Sequence, residues 1–227
     1  MSYIVTTEYE LSQVAAPNLP LATPQYDARY IDQLNNVLRL YFNQLDKIIG
    51  QLQTGSGAID GSGIRFPYGA FSSDQDQTTT ANTATLMTLN TTDFSNGVSI
   101  SSSKIKVTKA GIYNLQFSAQ FQNTDNQIQD ISIWLRQGND GGSSADIAGS
   151  TGLVSIPARK SASAGEEAHE IVGWNYYLSM NVDDYVQIYW STTNASVTIQ
   201  NYSASTRPTR PSTQSVVATL SFVSALP

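Results

Sequence analysis

The chain has 227 residues, no cysteine, one histidine and a net charge of −6; charged residues make up 13% and hydrophobic ones 40%. Without cysteine there is no disulfide, thiol catalysis or cysteine-ligated zinc, and the acidic balance excludes a phosphate-neutralising nucleic-acid surface, which needs clustered Lys and Arg. What remains is rich in Ser, Thr, Asn and Gln beside aromatics, which fits the pleat of β-strands better than the surface of helices.

Residues 1–26 open with a strand-like Tyr3-Ile4-Val5 and continue into PNLPLATP. Pro17, Pro20 and Pro24 forbid a helix here and favour an extended chain. With Leu19 and Leu21 between the prolines, this segment is the candidate anchoring arm.

Over 27–53 the period changes. Ile31, Leu34, Leu38, Tyr41, Leu45, Ile48 and Leu52 fall at alternating spacings of 3 and 4, the seam of a coiled coil. Val37, Phe42 and Ile49 widen the stripe, so two uses stay open: self-association through the seam, or packing of the helix on its own domain.

Gly55, Gly57, Gly61 and Gly63 end the helix and make 54–66 a linker. The stretch superficially suggests a phosphate cradle, but no Lys-Ser/Thr follows at the required place and no strand precedes it.

From 67 to 227 short strands alternate with turn formers. The expected strands are Tyr68–Ser72, Thr85–Leu89, Lys104–Val107, Gly111–Gln122, Asp130–Gln137, His169–Met180, Asp184–Trp190, Thr198–Tyr202 and Ser215–Val223. In the longest, Tyr113, Leu115, Phe117 and Ala119 face a core, opposite Ile112, Asn114, Gln116 and Ser118. Ile131, Ile133 and Leu135 likewise alternate with Ser132, Trp134 and Arg136, and Val186, Ile188 and Trp190 with Gln187 and Tyr189. The stretches 139–144, 158–167 and 203–213 are expected loops. Asp183-Asp184 marks a hairpin turn. This spacing predicts a mainly β protein, a β-sandwich or jelly roll.

Chemistry-bearing residues are few. His169, inside Glu166-Glu167-Ala168-His169-Glu170, is the one imidazole. A metal site wants more such ligands, and a Ser-His-Asp triad would depend on this residue alone with no Gly-x-Ser-x-Gly elbow. The expectation is therefore no enzyme, no cofactor and no metal. Arg207 and Arg210, in a proline-stiffened loop, are the candidate surface-binding residues for an acidic glycan or phosphate; an exposed loop with no ligand is the alternative. No apolar run approaches the roughly 20 residues that cross a bilayer, and MSYIVTTEYE lacks the features of a secretion signal, so neither membrane insertion nor export is expected.

Residues 68–225 resemble the trimeric jelly roll of tumour necrosis factor and of complement-type globular heads. The resemblance rests on YGAFSS at 68–73, Lys109-Ala110-Gly111-Ile112-Tyr113 entering a long strand, DISIWLRQ at 130–137, Tyr176-Tyr177-Leu178 followed by Asp184-Tyr185-Val186, and ATLSFV at 218–223. The stretch PNLPLATPQYDARYIDQLNNVLRLYFNQLDKIIGQL is similar to openings of structural proteins of tailed phages, notably those infecting cyanobacteria. Together these imply a virion protein assembled in the host cytoplasm. It would be a homotrimeric fibre or appendage subunit that attaches to other virion proteins by residues 1–26 and trimerises through 27–53, leaving its head to contact the host surface or stabilise the particle. In the jelly-roll family aromatics line a threefold axis, an implied place for Trp134, Trp174, Tyr176 and Tyr189. A lectin-like glycan-binding module and a capsid decoration protein are the alternatives. A polysaccharide-cleaving enzyme is a further one, although phage tailspikes with that activity resemble long β-helices, unlike this chain.

Overall fold

A computed structural model of the chain describes residues 17–21, 24–53, 66–161, 163 and 166–226, with side chains of the helix described as far as Lys47. The strand-like Tyr3-Ile4-Val5 and the glycines at 55–63 lie outside the described residues. The chain divides into two compact units, Met1–Arg65 and Phe66–Pro227.

In the first unit a helix, α1, spans Ala28–Gln53. Asp27 starts it: its carboxylate Oδ1 accepts the N–H of Arg29 at 2.9 Å, and its carbonyl accepts that of Ile31 at 3.3 Å. This is a helix N-cap, which satisfies donors that have no partner inside the helix.

The second unit is mainly β, with antiparallel strands throughout its ladders. In chain order they are β1 (Tyr68–Ser73), β2 (Thr85–Leu86), β3 (Thr91–Asn96), β4 (Val98–Ser101), β5 (Lys104–Val107), β6 (Gly111–Asn123), β7 (Gln129–Asn139), β8 (Ser144–Asp146), β9 (Gly152–Ile156), β10 (Ala168–Met180), β11 (Asp184–Thr192), β12 (Val197–Ile199), β13 (Ser205–Thr206), β14 (Thr209–Arg210) and β15 (Val216–Ser224). The first sheet runs β10-β6-β15-β1-β3, with β12 on the edge of β6 beyond β15. The second runs β4-β5-β11-β7-β8, with β2 also on β11 and β9 also on β7. β13 and β14 form a small hairpin of their own.

The two sheets share one core, an arrangement consistent with a β-sandwich. From the first sheet come Phe71, Tyr113, Leu115, Phe121, Ala218 and Leu220; from the second come Ile105, Ile131, Ile133, Leu135, Val186, Ile188 and Trp190. Phe121 and Trp190 meet edge-to-face at 5.6 Å between ring centres, a favoured aromatic geometry. Burying a side chain of this size contributes about 1.5–3 kcal/mol each, which is why the alternation in β6, β7 and β11 fixes their register.

Several expected strands differ in extent. Thr85–Leu89 stops as a ladder at Leu86, because the Gln77 side chain takes over the backbone of Thr88: its amide accepts from Thr88 N at 2.7 Å and donates to Thr88 O at 3.0 Å. Thr198–Tyr202 is Val197–Ile199, since Asn201 N–H turns to the Asp76 carboxylate at 2.8 Å. The expected loop 203–213 contains the hairpin β13–β14. Strands β3, β4, β8 and β9 had no counterpart in the sequence reading: β3 is Ser/Thr/Asn-rich and exposed almost throughout, so no hydrophobic period marks it.

The four aromatics that the resemblance implies as outward residues for a threefold axis divide between the two sides of their sheets. Trp134 and Tyr189 do point away from the core, but Trp174 and Tyr176 lie on its side and pack against it. Phe117 and Trp174 meet at 4.8 Å.

Candidate functional site

The arm residues Pro17, Leu19, Pro20 and Leu21 take up no regular structure, and Pro24 lies in a bend. Leu21 is 92% exposed and Leu19 53%. Along α1, Leu34, Leu38, Tyr41 and Leu45 are half-buried and Ile31 is exposed. The side chains of Ile48 and Leu52, which complete the seam, lie outside the described residues. Off the seam, Leu40 and Phe42 are exposed.

At the Asn123 end of β6 the structure gathers residues that lie far apart in the sequence. The Tyr202 hydroxyl lies 3.0 Å from His169 Nδ1, and the two rings meet edge-on. Burial first, then the charges of Asp76 and Glu167, push the Tyr202 hydroxyl above its ordinary value of 10.0, with Arg210 opposing. Arg210 is held by the carbonyl of Ser203 at 3.3 Å, and Arg207 is exposed on the same hairpin. The imidazole is therefore engaged by a phenol.

Asp183 and Asp184 form the β10–β11 turn. Asp183 has φ +67°, in the left-handed region, and the buried Asp184 carboxylate accepts from Asn181 N at 2.7 Å and Asn139 Nδ2 at 3.0 Å. Nearby, Lys106 bridges Asp140 and Asp183, each at 2.9 Å. These are turn and surface-pair roles. Among the described residues no group of three or more His, Asp or Glu is placed to hold a metal, and no helix is long and apolar enough to cross a membrane.

The outer face of the first sheet has an unusual chemistry. The outward positions of three of its strands are His169, Ile171, Gly173, Asn175, Tyr177 and Ser179 on β10; Ile112, Asn114, Gln116, Ser118, Gln120 and Gln122 on β6; and Val217, Thr219, Ser221 and Val223 on β15. None is Asp, Glu, Lys or Arg. Ile171 and Tyr177 are 65% and 60% exposed, while Asn114 at the centre is buried with its side-chain oxygen lacking a hydrogen-bond partner. The β10 edge pairs with β6 through thirteen successive residues without a shift and pairs with nothing on its other side among the described residues.

The outer face of the second sheet is polar and aromatic. Trp134 and Tyr189 are direct cross-strand partners, stacked at 6.0 Å and 25°. Asp146 Oδ1 accepts from Trp134 Nε1 at 3.1 Å and from Arg136 Nε at 2.7 Å, and the guanidinium lies 4.3 Å from the Tyr189 ring centre. Sequence alternation placed Trp134, Arg136 and Tyr189 outward, but Asp146 comes from β8, which no periodicity marked.

No protein-family model matches the chain, and no curated protein matches it.

Proposed function

We propose that the chain is a non-enzymatic structural subunit of a tailed-phage virion. It is a homotrimer anchored through its N-terminal arm, with a coiled-coil helix and a jelly-roll head that contacts the host surface or stabilises the particle. The observation that carries the trimer is the uncharged outer surface of β10, β6 and β15 in the first sheet. A solvated sheet face ordinarily carries Lys and Glu, and charge is what interface centres lack. Long free edges are usually blunted by charge, proline or a bulge, whereas from Ile171 to Met180 the edge strand β10 has none of these. An edge that packs on the neighbour's face is a heterologous contact, which forms a ring when its rotation closes, as a threefold rotation does.

The jelly-roll reading is supported by the path of the long strands. β6 lies in the first sheet, β7 in the second, β10 in the first, β11 in the second and β15 in the first, the interleaving that a double Greek key requires. The phage reading is supported by the resemblance of the proline-rich arm and helix to phage structural proteins. Geometry then supplies the mechanism: three weak anchors and three weak contacts act together through avidity.

Two measurements test this. Sedimentation equilibrium of the full chain should give three times 24.6 kDa, and a monomer at micromolar concentration would sink the trimer. An antibody against residues 68–227 should decorate intact particles in electron micrographs. Label on tail appendages assigns host contact, label over the capsid assigns decoration, and unlabelled particles remove the virion role.

A further inference from the structure

We propose that the outer face of the second sheet carries a carbohydrate-binding site, centred on Trp134 and Tyr189 and completed by Arg136 and Asp146, that takes a neutral hexopyranose chain. The inference deepens the proposed host-surface contact and rests on that reading.

The residues sit on paired strands in a fixed register. One row across the sheet is Leu86, Tyr189 and Trp134, and the neighbouring row is Gln187, Arg136 and Asp146. On the other side Ser191 pairs with Ser132. An aromatic strip is thus bordered by hydroxyls on one flank and by an amide with an acceptor–donor pair on the other.

The strip's rings and polar groups hold one another in place. One carboxylate oxygen, Asp146 Oδ1, holds both the indole N–H and the guanidinium, so ring orientation and polar groups are locked together. Both bonds fall on the same oxygen of a carboxylate whose side chain is 51% exposed, while the Arg136 side chain is 29% exposed. Sites built on strands and locked this way hold their geometry better than sites on loops.

This chemistry selects the ligand class. Arg136 and Asp146 cancel in charge, so a phosphate or sulfate gains nothing from the one without meeting the other. A peptide strand cannot add here, because β11 and β7 are each paired on both sides. A large apolar partner would find serines and Gln187 around the rings. A pyranose meets each demand: its C–H groups lie on aromatic carbon, and adjacent hydroxyls, which both donate and accept, suit a carboxylate beside a guanidinium. Three such sites on one trimer would convert weak single contacts into useful avidity.

The test uses the full chain with ¹⁵N-labelled tryptophan indoles. The Trp134 signal is assigned by its loss in Trp134→Phe, and linear oligosaccharides of glucose, galactose and mannose are titrated to tens of millimolar. At least one probe should shift the Trp134 signal saturably and leave that of the buried Trp190 in place; Asp146→Ala should weaken that probe's binding about tenfold, the loss of one charge-assisted hydrogen bond. A Trp134 signal unmoved by all three series overturns the site and leaves the cluster as a sheet staple only. A shift that Asp146→Ala does not weaken, with Trp190 unchanged to show the fold intact, overturns it equally. The mass of the same sample separates the two readings: a trimer that binds no probe sinks the site alone, and a monomer that binds one sinks the trimer alone.

Discussion

Asp184 shows how much a single buried group decides in this protein. Its carboxylate, 8% exposed, accepts the Asn181 N–H and the Asn139 amide, with Gln137 Nε2 at 3.4 Å from the same group. Asp184→Ala leaves those donors without their acceptor at a tight turn, so it should destabilise the chain by about 2 kcal/mol. A urea midpoint equal to wild type would show the turn holding without it. The paired aspartates on the surface behave differently. Lys106 first and then Lys104 hold the Asp140 carboxyl below its ordinary 3.8, and Arg136 does the same for Asp146. Both values are lowered on folding, so the stability these groups contribute is complete above 3.8 and is lost as pH falls past it through the lowered values. The melting-temperature difference between wild type and Asp146→Asn should therefore be present at neutral pH, shrink in molar salt and vanish in strong acid. A difference that persists in acid would mean Asp146 acts through something other than its charge.

At the scale of elements, the strands legible in the sequence are those with a buried and an exposed side. β6 alternates from Tyr113 to Phe121, and β11 buries Val186, Ile188 and Trp190; period-2 hydrophobicity is the physical record of one-sided burial. The exposed strand β3, with no core face, left no such record, and neither did Asp146, whose role depends on a neighbour in space rather than in sequence. Tyr202 and His169, 33 positions apart, were hidden for the same reason. The helix was legible down to its start, because Asp27 combines an N-cap residue with the first apolar repeat; Asp27→Ala should lower helix stability by about 1 kcal/mol, read as lost helical circular dichroism on heating. One glycine marks the closest approach of two strands. At Gly173 a Cβ would collide with the Phe117 carbonyl oxygen, and backbone cannot swing aside as a flexible side chain can. Gly173→Ala should part β10 from β6 locally and cost about 1–3 kcal/mol, seen as faster amide exchange at Ser118. Unchanged exchange there would mean that the strands absorb the methyl.

For the whole molecule the question is which of two uncharged surfaces would assemble the proposed trimer, the seam of α1 or the outer face of β10, β6 and β15. They can be separated because each fails to a different charge. Leu38→Asp with Leu45→Asp places carboxylates in the seam, while Tyr177→Lys with Val217→Lys places ammonium groups on the sheet face, where 60% and 38% exposure leaves a lone chain undisturbed. An unpaired charge forced into a dry contact costs at least about 2 kcal/mol, and threefold symmetry repeats that cost in every protomer. If the sheet face is the principal interface, the lysine variant should sediment as a folded monomer with native Trp190 fluorescence, and the aspartate variant should remain trimeric at micromolar concentration. The reverse pattern gives assembly to the helix and leaves the neutral face without a part in it. Two intact trimers would show that either device suffices alone, which the quadruple variant should then undo. A quadruple variant still trimeric would remove both surfaces from the assembly.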